Sequence, residues 1–577
     1  MRLRLLARDP HMSAAASPAE RTCLAKSRQR YRLACLAFAL SFLAIALRLV
    51  SLGFAAAEPA AGGIHDISTT VHRPDIFDRN RRLLATDIKG ATLYADPAKV
   101  IDRDELVEQV ASVLPDINTS ELLEKLKQGR RFVAIKRELT PQQQAEIYEL
   151  GQPGLGFIDE YRRVYPVGAT AGQVVGYVNV DNKGLVGIEK FIDDNPQLAM
   201  SVPENAVGGE AVTLSLDLGV QHVMREELVK AMATYQAKAA AGVVIDVKSG
   251  EVMALVSLPD YDPNYREQAL DKDRLNRMTS GVYEMGSVFK VLTVAGALDV
   301  GSSSLRSSYD ASQSLHVGKF TIEDFHGKKR RLTVPEIFIY SSNIGAAKMA
   351  LDLGIDRHRA FLGKLGLLRR LSTEIGENAA PIVPSPWQRV NTITIAFGHG
   401  LSVTPLQLAA AALPVVNGGF AVTPTFLPRS RMTLQQSPSV LKPATSQAML
   451  QLMRLNVLKG TGKRADAKGY RVGGKTGTAE KVVGRHYKGS SLLTSFLAAF
   501  PTDAPEYVML VMLDEPKRVP ETHNEATAGV NAAPTTGAII ERIAPILGVA
   551  PKLPGDQRKF DERVLAASLT RGVLASY

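Results

Sequence analysis

The order of strand-like and helical segments is the feature that most constrains the fold of this chain. Five segments are predicted to be strands: the apolar runs 242–247 and 252–257, and three further candidates at 474–481, 494–500 and 507–513. A Lys-Ser-Gly-Glu turn joins the first two into a hairpin. A mostly helical stretch, 286–458, separates this hairpin from the other three segments. Strands that flank helices in this way predict an antiparallel sheet packed against a helical part, an α+β fold.

The part of the chain before this sheet is predicted to form a separate α+β domain. At 577 residues, the chain is too long for one ordinary core. Helical patterns occur over Arg103–Leu114 and Gln142–Leu150, and Thr140 and Pro141 before the second are a typical helix start. A glycine pair at 208–209 marks the expected boundary with the larger domain.

An apolar segment near the N-terminus predicts a membrane anchor. The run 33–47 rises only ~22 Å as a helix, but extension to Gly53 gives ~31 Å, enough to span the hydrocarbon core. Residues 1–32 contain eight basic and two acidic side chains, which predicts a cytoplasmic N-terminus and an external remainder. A cleavable signal peptide that ends at the alanines of 55–57 is the alternative.

Composition indicates that the external part folds without disulfides, metals or nucleic acid. Both cysteines, Cys23 and Cys35, lie within or before the apolar segment, so no disulfide is expected outside. Much of the net charge of +11 lies beside that segment, where it is a topology signal rather than a nucleic-acid surface. The ten histidines show no metal-ligand spacing, and neither a metal nor a cofactor is expected.

Three short motifs that occur in order carry the chemistry of the larger domain. They are Ser287-Val288-Phe289-Lys290, Ser341-Ser342-Asn343 and Lys475-Thr476-Gly477-Thr478. Each is weak evidence alone, because S-x-x-K or S-x-N is expected by chance in a chain of this length. Their order and context make the set specific.

The first motif places a serine and a lysine on one face of a predicted helix. The apolar run after Gly286 predicts a helix that begins at Ser287, and positions i and i+3 of a helix are neighbours. A serine hydroxyl needs a base, and Lys290 can serve if burial and a second cation lower its pKa. Lys475 is the candidate for that cation. The helix N-terminus offers a backbone N–H to an anionic tetrahedral intermediate.

Together the three motifs resemble those of penicillin-binding proteins and serine β-lactamases. Over about 66–545, further segments resemble the class B penicillin-binding proteins in particular. These segments are 73–80, 163–166, 176–177, 187–189, 276–277, 397–400, 404–407 and 460–462. Pro74, Arg81 and Met285 depart from the family pattern, and the connection from Glu189 to Val212 is short.

The resemblance implies a role for the residues of the first two motifs. Ser287 would attack the penultimate D-Ala carbonyl of a peptidoglycan pentapeptide stem and release the terminal D-Ala. Lys290 would be the base. Ser341 would relay a proton to the leaving amine, and Asn343 would hold the donor peptide amide.

The resemblance also implies how the third motif would bind the donor. Lys475 would supply positive charge, and Thr476 and Thr478 would bind the donor carboxylate, with Gly477 between them in the same substrate-binding strand. The backbone N–H groups of Ser287 and Thr478 would form the oxyanion hole. An amine of a neighbouring stem would resolve the acyl-enzyme, whereas β-lactams would acylate Ser287 and remain.

The family further implies a domain organisation and a cellular setting. The expected parts are a cytoplasmic tail (1–32), a transmembrane anchor (33–57), an accessory, pedestal or dimerisation domain (58–205), a transpeptidase domain (206–548) and a C-terminal tail (549–577). The catalytic part would lie in the periplasm at the division septum, with elongation of the lateral wall as the alternative. Since the chain has no room for a glycosyltransferase domain, a polytopic membrane glycosyltransferase and other division proteins are the expected partners.

Three other interpretations of the motifs are possible. Residues 469–476 match the phosphate-loop pattern G-x-x-x-x-G-K-[ST], but the segment before them is polar and Gly477 interrupts the helix that should follow. A hydrolytic relative, a β-lactamase or carboxypeptidase, would share the serine chemistry. No E-x-x-L-N box of the class A β-lactamases lies between Asn343 and Lys475. An inactive binding or sensor protein would not need the intact Ser-Lys pair.

Overall fold

The computed structural model describes residues 36–46, 72–128, 131–199, 211–318, 320–429, 437–483 and 486–570. The chain forms two units, Met1–Ile67 and Ser68–Tyr577. In the first unit, helix α1 covers 36–46 and its side chains are exposed. The rest of the predicted anchor, the basic tail and both cysteines lie outside the described residues. No helix among the described residues combines the length and apolar character needed to cross a membrane.

The accessory part of the second unit is a small α+β assembly. Its elements are β1 (Ile76–Phe77), β2 (Leu83–Ala95), α2 (Arg103–Val113), α3 (Thr119–Lys127), β3 (Val133–Leu139), α4 (Pro141–Glu149), β4 (Leu155–Val164), α5 (Gly172–Val175), β5 (Tyr177–Val178), β6 (Gly184–Val186), α6 (Gly187–Asp194) and α7 (Pro196–Ala199). Strand β2 pairs antiparallel with β1, β3 and β4. Leu93, Leu106, Leu126 and Ile147 join β2, α2, α3 and α4 in one buried cluster.

Both helices predicted for this part are present. The pattern over Arg103–Leu114 forms α2, and the pattern over Gln142–Leu150 forms α4. The hydroxyl of Thr140 accepts a hydrogen bond from the backbone N–H of Gln143, and the side chain of Gln143 caps the backbone N–H of Thr140 in return. This capping box explains why the helix begins at that threonine.

The larger part of the second unit contains the predicted sheet. Its strands are β7 (Val212–Thr213), β8 (Ala239–Asp246), β9 (Val252–Leu258), β10 (Ser308–Asp310), β11 (Leu315–Val317), β12 (Phe320–Ile322), β13 (Arg331–Thr333), β14 (Gly473–Val483), β15 (His486–Phe500) and β16 (Tyr507–Asp514). The main sheet has the order β14-β15-β16-β8-β9, and each neighbouring pair is antiparallel. Strands β8 and β16 are buried along their whole length, which accounts for their continuous apolar runs.

Helices cover both faces of this sheet. They are α8 (Leu218–Thr234), α9 (Lys290–Val300), α10 (Val334–Ile339), α11 (Asn343–Leu353), α12 (Ile355–Lys364), α13 (Arg389–Ile395), α14 (Pro405–Val416), α15 (Pro443–Lys459), α16 (Ala532–Ile546) and α17 (Pro554–Thr570). Because side chains alternate along a strand, Val243 and Leu510 pack with the α9 and α14 side, whereas Val244 and Met509 pack with α8 and α16. The site described below lies on the α9 side, at the β14 edge.

The structure differs from the sequence prediction at three places. The stretch 286–458 is not helical throughout, since the short pairs β10–β13 and β11–β12 lie within it. The pattern over 211–216 is strand-like, but only Val212–Thr213 forms a regular strand, which pairs in parallel with β1. Ser287 does not begin an α-helix: it lies in a tight 3-10 turn, Gly286–Phe289, and the α-helix begins at Lys290.

Candidate active site

The turn that carries Ser287 is fixed by its neighbours. Gly286 has a φ of 58°, and a Cβ there would lie 2.7 Å from the carbonyl oxygen of Thr478. Its own carbonyl oxygen would lie only 2.0 Å from a Cβ at Gly398, so this neighbour must also be a glycine. Val288 and Phe289, which follow the serine, are fully buried. Only a glycine satisfies both the backbone conformation and the space at position 286. The serine itself is left partly exposed.

Lys290 connects the serine to the second motif. Its Nζ lies 3.0 Å from Oγ of Ser287, 3.1 Å from Oγ of Ser341 and 2.7 Å from Oδ1 of Asn343, and it also donates to the Ser341 carbonyl. The side chain of Lys290 is completely buried. A base within hydrogen-bond distance of the hydroxyl is the geometry that activation of a serine requires.

The second motif lies where one helix ends and the next begins. Helix α10 ends at Ile339, Ser341 has a left-handed φ of 60°, and Ser342 caps α11, which begins at Asn343. In this position the Ser341 hydroxyl lies between two amines, 3.1 Å from Lys290 and 3.0 Å from Lys475. The hydroxyl can therefore pass a proton in this cluster by reorienting its own O–H.

The third motif lies on β14, an edge strand of the main sheet. Its Thr476 Oγ1 lies 2.7 Å from Oγ1 of Thr461, and Thr478 Oγ1 accepts a hydrogen bond of 3.1 Å from the backbone N–H of Ala528. A Cβ at Gly477 would lie 2.6 Å from a methyl of Val288, so the strand can approach the serine turn only with glycine here. The threonine-bearing edge thus closes the cleft opposite Ser287.

The two buried amines have depressed pKa values. Burial lowers the pKa of Lys290 well below its ordinary value, the positive charge of Lys475 lowers it further, and the carboxylate of Asp324 opposes both. Burial lowers the pKa of Lys475 to about 7. Two ammonium groups that share a hydroxyl repel each other, so the first proton lost leaves one neutral amine and one cation. Lys290 lies beside the hydroxyl of Ser287, so a neutral amine at this position could accept its proton.

All eight residues predicted for the site meet at this cleft. Ser287, Lys290, Ser341, Asn343 and Lys475 form one continuous hydrogen-bonded cluster. Their companions Thr476, Gly477 and Thr478 continue along β14 beside it. The phosphate-loop alternative fails here, because Lys475 and Thr476 lie inside a β-strand rather than at a helix N-terminus. Within the described residues, no group of three or more His, Cys, Asp or Glu side chains could hold a metal ion.

Sequence reasoning missed three groups that contact the site. Asp324 accepts hydrogen bonds from the second motif, and no sequence pattern around it indicates this contact. Glu284 bonds the ring of His399 at 3.1 Å and the backbone N–H of Gly400 at 2.8 Å, which ties the serine turn to a neighbouring loop. Thr461 lies in the 460–462 segment that resembles the family, but a resemblance at that level assigns it no contact.

The chain matches two family models. The model of the penicillin-binding protein transpeptidase domain matches residues 240–541, and that of the penicillin-binding protein dimerisation domain matches residues 68–194. Together the two matches include every residue of the three motifs and most of the accessory part.

Similar proteins and a similar structure cover most of the chain. A protein of Caulobacter vibrioides named probable peptidoglycan D,D-transpeptidase FtsI is 39% identical over 83% of this chain and 82% of its own length. The probable peptidoglycan D,D-transpeptidase PenA of Neisseria meningitidis is 30% identical, over 84% and 86%. A peptidoglycan synthetase from Bifidobacterium adolescentis has the same fold, with a TM-score of 0.66 at 22% identity over 84% of this chain and 97% of that one. On these matches and the cleft geometry, the chain belongs to the class B penicillin-binding proteins.

Proposed function

We propose that this chain is a serine D,D-transpeptidase that cross-links peptidoglycan stem peptides through an acyl-enzyme on Ser287. The observation that carries the proposal is the 3.0 Å contact between Ser287 Oγ and the fully buried amine of Lys290. A buried lysine with a second cation nearby is neutral enough to act as a base, which an exposed lysine is not.

Acylation follows from the positions of the groups. The neutral amine of Lys290 takes the proton of Ser287 Oγ as that oxygen attacks the carbonyl carbon of the penultimate D-Ala. The backbone N–H groups of Ser287 and Thr478 hold the resulting oxyanion. Collapse of the intermediate breaks the C–N bond, and Ser341 passes the proton from the lysine to the departing D-Ala amine.

Deacylation reverses the proton path. The amine of a second stem peptide attacks the ester carbon, and its proton returns through Ser341 and Lys290 to the oxygen of Ser287. The new peptide bond is the cross-link. The donor carboxylate fits the positive charge of Lys475 and the hydroxyls of Thr476 and Thr478, which are also the groups that the carboxylate of a β-lactam requires. A β-lactam acylates Ser287 in the same way but keeps its leaving nitrogen tethered.

Labelling with a fluorescent penicillin tests the nucleophile. We expect one covalent adduct in the folded protein, complete loss of it in Ser287→Ala, and unchanged labelling in Ser312→Ala, in which an exposed serine is removed. Equal labelling of Ser287→Ala and the unmodified protein would rule the proposal out.

A donor peptide that ends in D-Ala-D-Ala separates cross-linking from hydrolysis. With an amine acceptor present, a transpeptidase gives the aminolysis product, whereas a carboxypeptidase or β-lactamase gives only the shortened acid. Mass spectrometry of the products distinguishes the two. Predominant hydrolysis at every acceptor concentration would replace the proposal with the hydrolytic alternative.

A membrane-anchored division role is proposed for the whole chain. The apolar side chains of α1 are exposed, as Leu36, Phe38, Phe42 and Ile45 illustrate, and such a surface needs lipid or protein to cover it. With the basic residues before it, this supports a single-pass anchor, a cytoplasmic N-terminus and a catalytic part in the periplasm. The domain limits 58–205, 206–548 and 549–577 remain proposals of the same kind.

Two measurements test this cellular assignment. N-terminal sequencing of the mature protein distinguishes an anchor from a cleaved signal peptide, because only cleavage near 55–57 removes the apolar segment. Depletion in cells distinguishes the septal role from lateral-wall elongation: filaments support division, and rounded cells support elongation. Co-purification with a polytopic glycosyltransferase and other division proteins would support the proposed partners. Failure to recover any of them with the membrane-extracted protein would count against these partners.

A further inference from the structure

A short segment that none of the three motifs contains reaches into the active site. The carboxylate of Asp324 accepts three hydrogen bonds, from Ser342 Oγ at 2.6 Å, from the backbone N–H of Asn343 at 2.6 Å and from that of Ile344 at 3.0 Å. The backbone carbonyl of the preceding Glu323 accepts a bond of 2.9 Å from Nδ2 of Asn343. Three donors at the start of α11, two of them in the second motif, therefore converge on one side chain.

These bonds do more than cap a helix. Helix α11 already has a cap, because Ser342 Oγ accepts the backbone N–H of Gly345 at 2.9 Å. The additional bonds fix both the backbone and the amide group of Asn343. With Nδ2 held by the Glu323 carbonyl, Oδ1 of Asn343 points to the amine of Lys290, 2.7 Å away. The orientation of that amine towards Ser287 thus depends on contacts made by residues 323 and 324.

The charge of Asp324 also acts on the cleft. Two charged groups influence Lys290: the ammonium of Lys475 on β14, which lowers its pKa, and the carboxylate of Asp324, which raises it, while burial lowers it most. The other groups that contact the amine, on Ser287, Ser341 and Asn343, are uncharged. Asp324 therefore limits how far the pKa of the base falls.

We propose that Asp324 is a positioning residue for acylation, which holds Asn343 in place and, through it, aligns the amine of Lys290 with Ser287. The inference rests on the proposed function, since it assigns a role within the same reaction. Asp324 itself contacts neither the nucleophile Ser287 nor the position of the reacting carbonyl.

Two substitutions separate the geometry from the charge. In Asp324→Asn, the side-chain oxygen can still accept the backbone N–H groups of Asn343 and Ile344, and its amide can donate to Ser342, so the alignment persists without the negative charge. In Asp324→Ala, both the acceptors and the charge are lost. The matched controls are Asp356→Asn and Asp356→Ala, which remove an exposed carboxylate from the first turn of α12, away from the charges that act on Lys290.

The experiment measures the second-order rate constant of acylation by a fluorescent penicillin as a function of pH, per folded molecule. Lys290 must be neutral to act, so the rate rises as pH passes its pKa. We expect Asp324→Ala to reduce the plateau rate by up to about 100-fold, as a small misplacement of a catalytic group does. We expect Asp324→Asn to keep most of the plateau but to shift the acid limb to lower pH, because loss of the negative charge lowers the pKa of Lys290. The Asp356 variants should match the unmodified protein in both respects.

Each result either supports or overturns the inference. A wild-type plateau in Asp324→Ala would show that Asn343 and Lys290 stay aligned without it. An unshifted acid limb in Asp324→Asn, or a shift to higher pH, would show that its charge does not act on the base. If Asp324→Ala does not fold, Asp324→Glu takes its place, because it keeps the charge but displaces the carboxylate by one methylene; an unchanged plateau rate in that variant would overturn the inference. Failure of the proposed function gives a different pattern, since Ser287→Ala would then still be labelled.

Discussion

Two regions of this molecule bury positive charge, and they do so in opposite ways. In the catalytic cleft, Lys290 and Lys475 are fully buried and bond to hydroxyl, amide and carbonyl oxygens. Within the described residues, neither amine forms a salt bridge. In the accessory part, Arg163 is as deeply buried, but its guanidinium pairs with Glu189 at 2.7 Å and with Asp87 at 3.1 Å.

The difference determines what each region can do. Burial lowers the pKa of both Lys290 and Lys475, and so makes it easier for a buried amine to lose its proton. Burial acts on Arg163 in the same direction, but the carboxylates of Glu189 and Asp87 outweigh it and raise its pKa. A buried cation without a carboxylate partner is therefore reactive, whereas a paired one is a permanent structural link.

Replacement of the unpaired lysine should have the largest effect on activity. Lys290→Met fills a similar volume without a base, and we expect acylation by penicillin to slow by about 100- to 10,000-fold. The protein should remain folded, because the substitution also removes the desolvation cost of a buried amine. Stopped-flow acylation and thermal unfolding together check this, with the exposed Lys364→Met as control. Rapid acylation in Lys290→Met would show that another group is the base.

Replacement of the paired arginine should have the opposite signature. Arg163→Met leaves the buried carboxylate of Asp87 without its guanidinium and leaves Glu189 with only that of Arg73, and we expect the free energy of unfolding to fall by about 3 kcal/mol. Urea unfolding measures this loss. The neighbouring Arg162→Met is the control, because adjacent side chains of β4 point to opposite faces and Arg162 is less buried. Similar stability of the two variants would contradict the comparison.

Sequence reasoning succeeded where a local pattern encodes the feature. The strands β8, β9, β15 and β16 were predictable from their apolar runs, and the catalytic set was predictable because S-x-x-K, S-x-N and K-T-G-T are compact motifs. The hydrogen bonds of Asp324 join residues 18 to 20 positions apart, and the pair of Arg73 with Glu189 spans 116. No period or spacing in one sequence indicates which distant polar residues will meet.

The conformation of the turns could also not be predicted from the sequence. The apolar run after Gly286 fits an α-helix from the serine onwards, but close contacts with Gly398 and the Thr478 carbonyl favour a 3-10 turn first. The i, i+3 relation of Ser287 and Lys290 survives in either helix type, which is why the predicted contact is still formed. Likewise, the short strands of 308–333 are too brief to produce a periodic signal.

The second cation of the cleft should control the pH dependence of the first. Lys475→Met removes a positive charge that disfavours protonation of Lys290, so the pKa of Lys290 should rise. The acid limb of the acylation profile should then move to higher pH, opposite to the shift expected for Asp324→Asn. The pH dependence of the acylation rate that remains in Lys475→Met measures this shift. Shifts of both variants in the same direction would mean that the limb does not report Lys290.

The smallest effect is expected at a fourth buried cation. It tests whether the contrast between reactive and structural cations depends on carboxylate pairing or on the domain in which the cation lies. Arg454 of α15 is fully buried in the catalytic part, yet it forms ion pairs with Asp466 at 2.6 Å and with Asp561 of α17 at 2.9 Å. Burial lowers the pKa of Arg454, but the two carboxylates outweigh this effect, and the pKa is raised overall. If carboxylate pairing decides the role of a buried cation, Arg454 should contribute to stability, as Arg163 does, and should not contribute to acylation, as Lys290 does.

Asp561→Asn should therefore cost stability rather than alter the chemistry. Asp466 still compensates Arg454, so we expect the free energy of unfolding to fall by only about 1.5 kcal/mol, the contribution of a hydrogen bond to a charged group. The adjacent, exposed Glu562→Gln makes the same change of charge and should have no measurable effect. The acid limb of acylation should be unchanged in both, because neither carboxylate acts on Lys290. A shift of that limb in Asp561→Asn would mean that a paired cation far from the serine still tunes the base, and pairing would no longer separate structural charge from reactive charge.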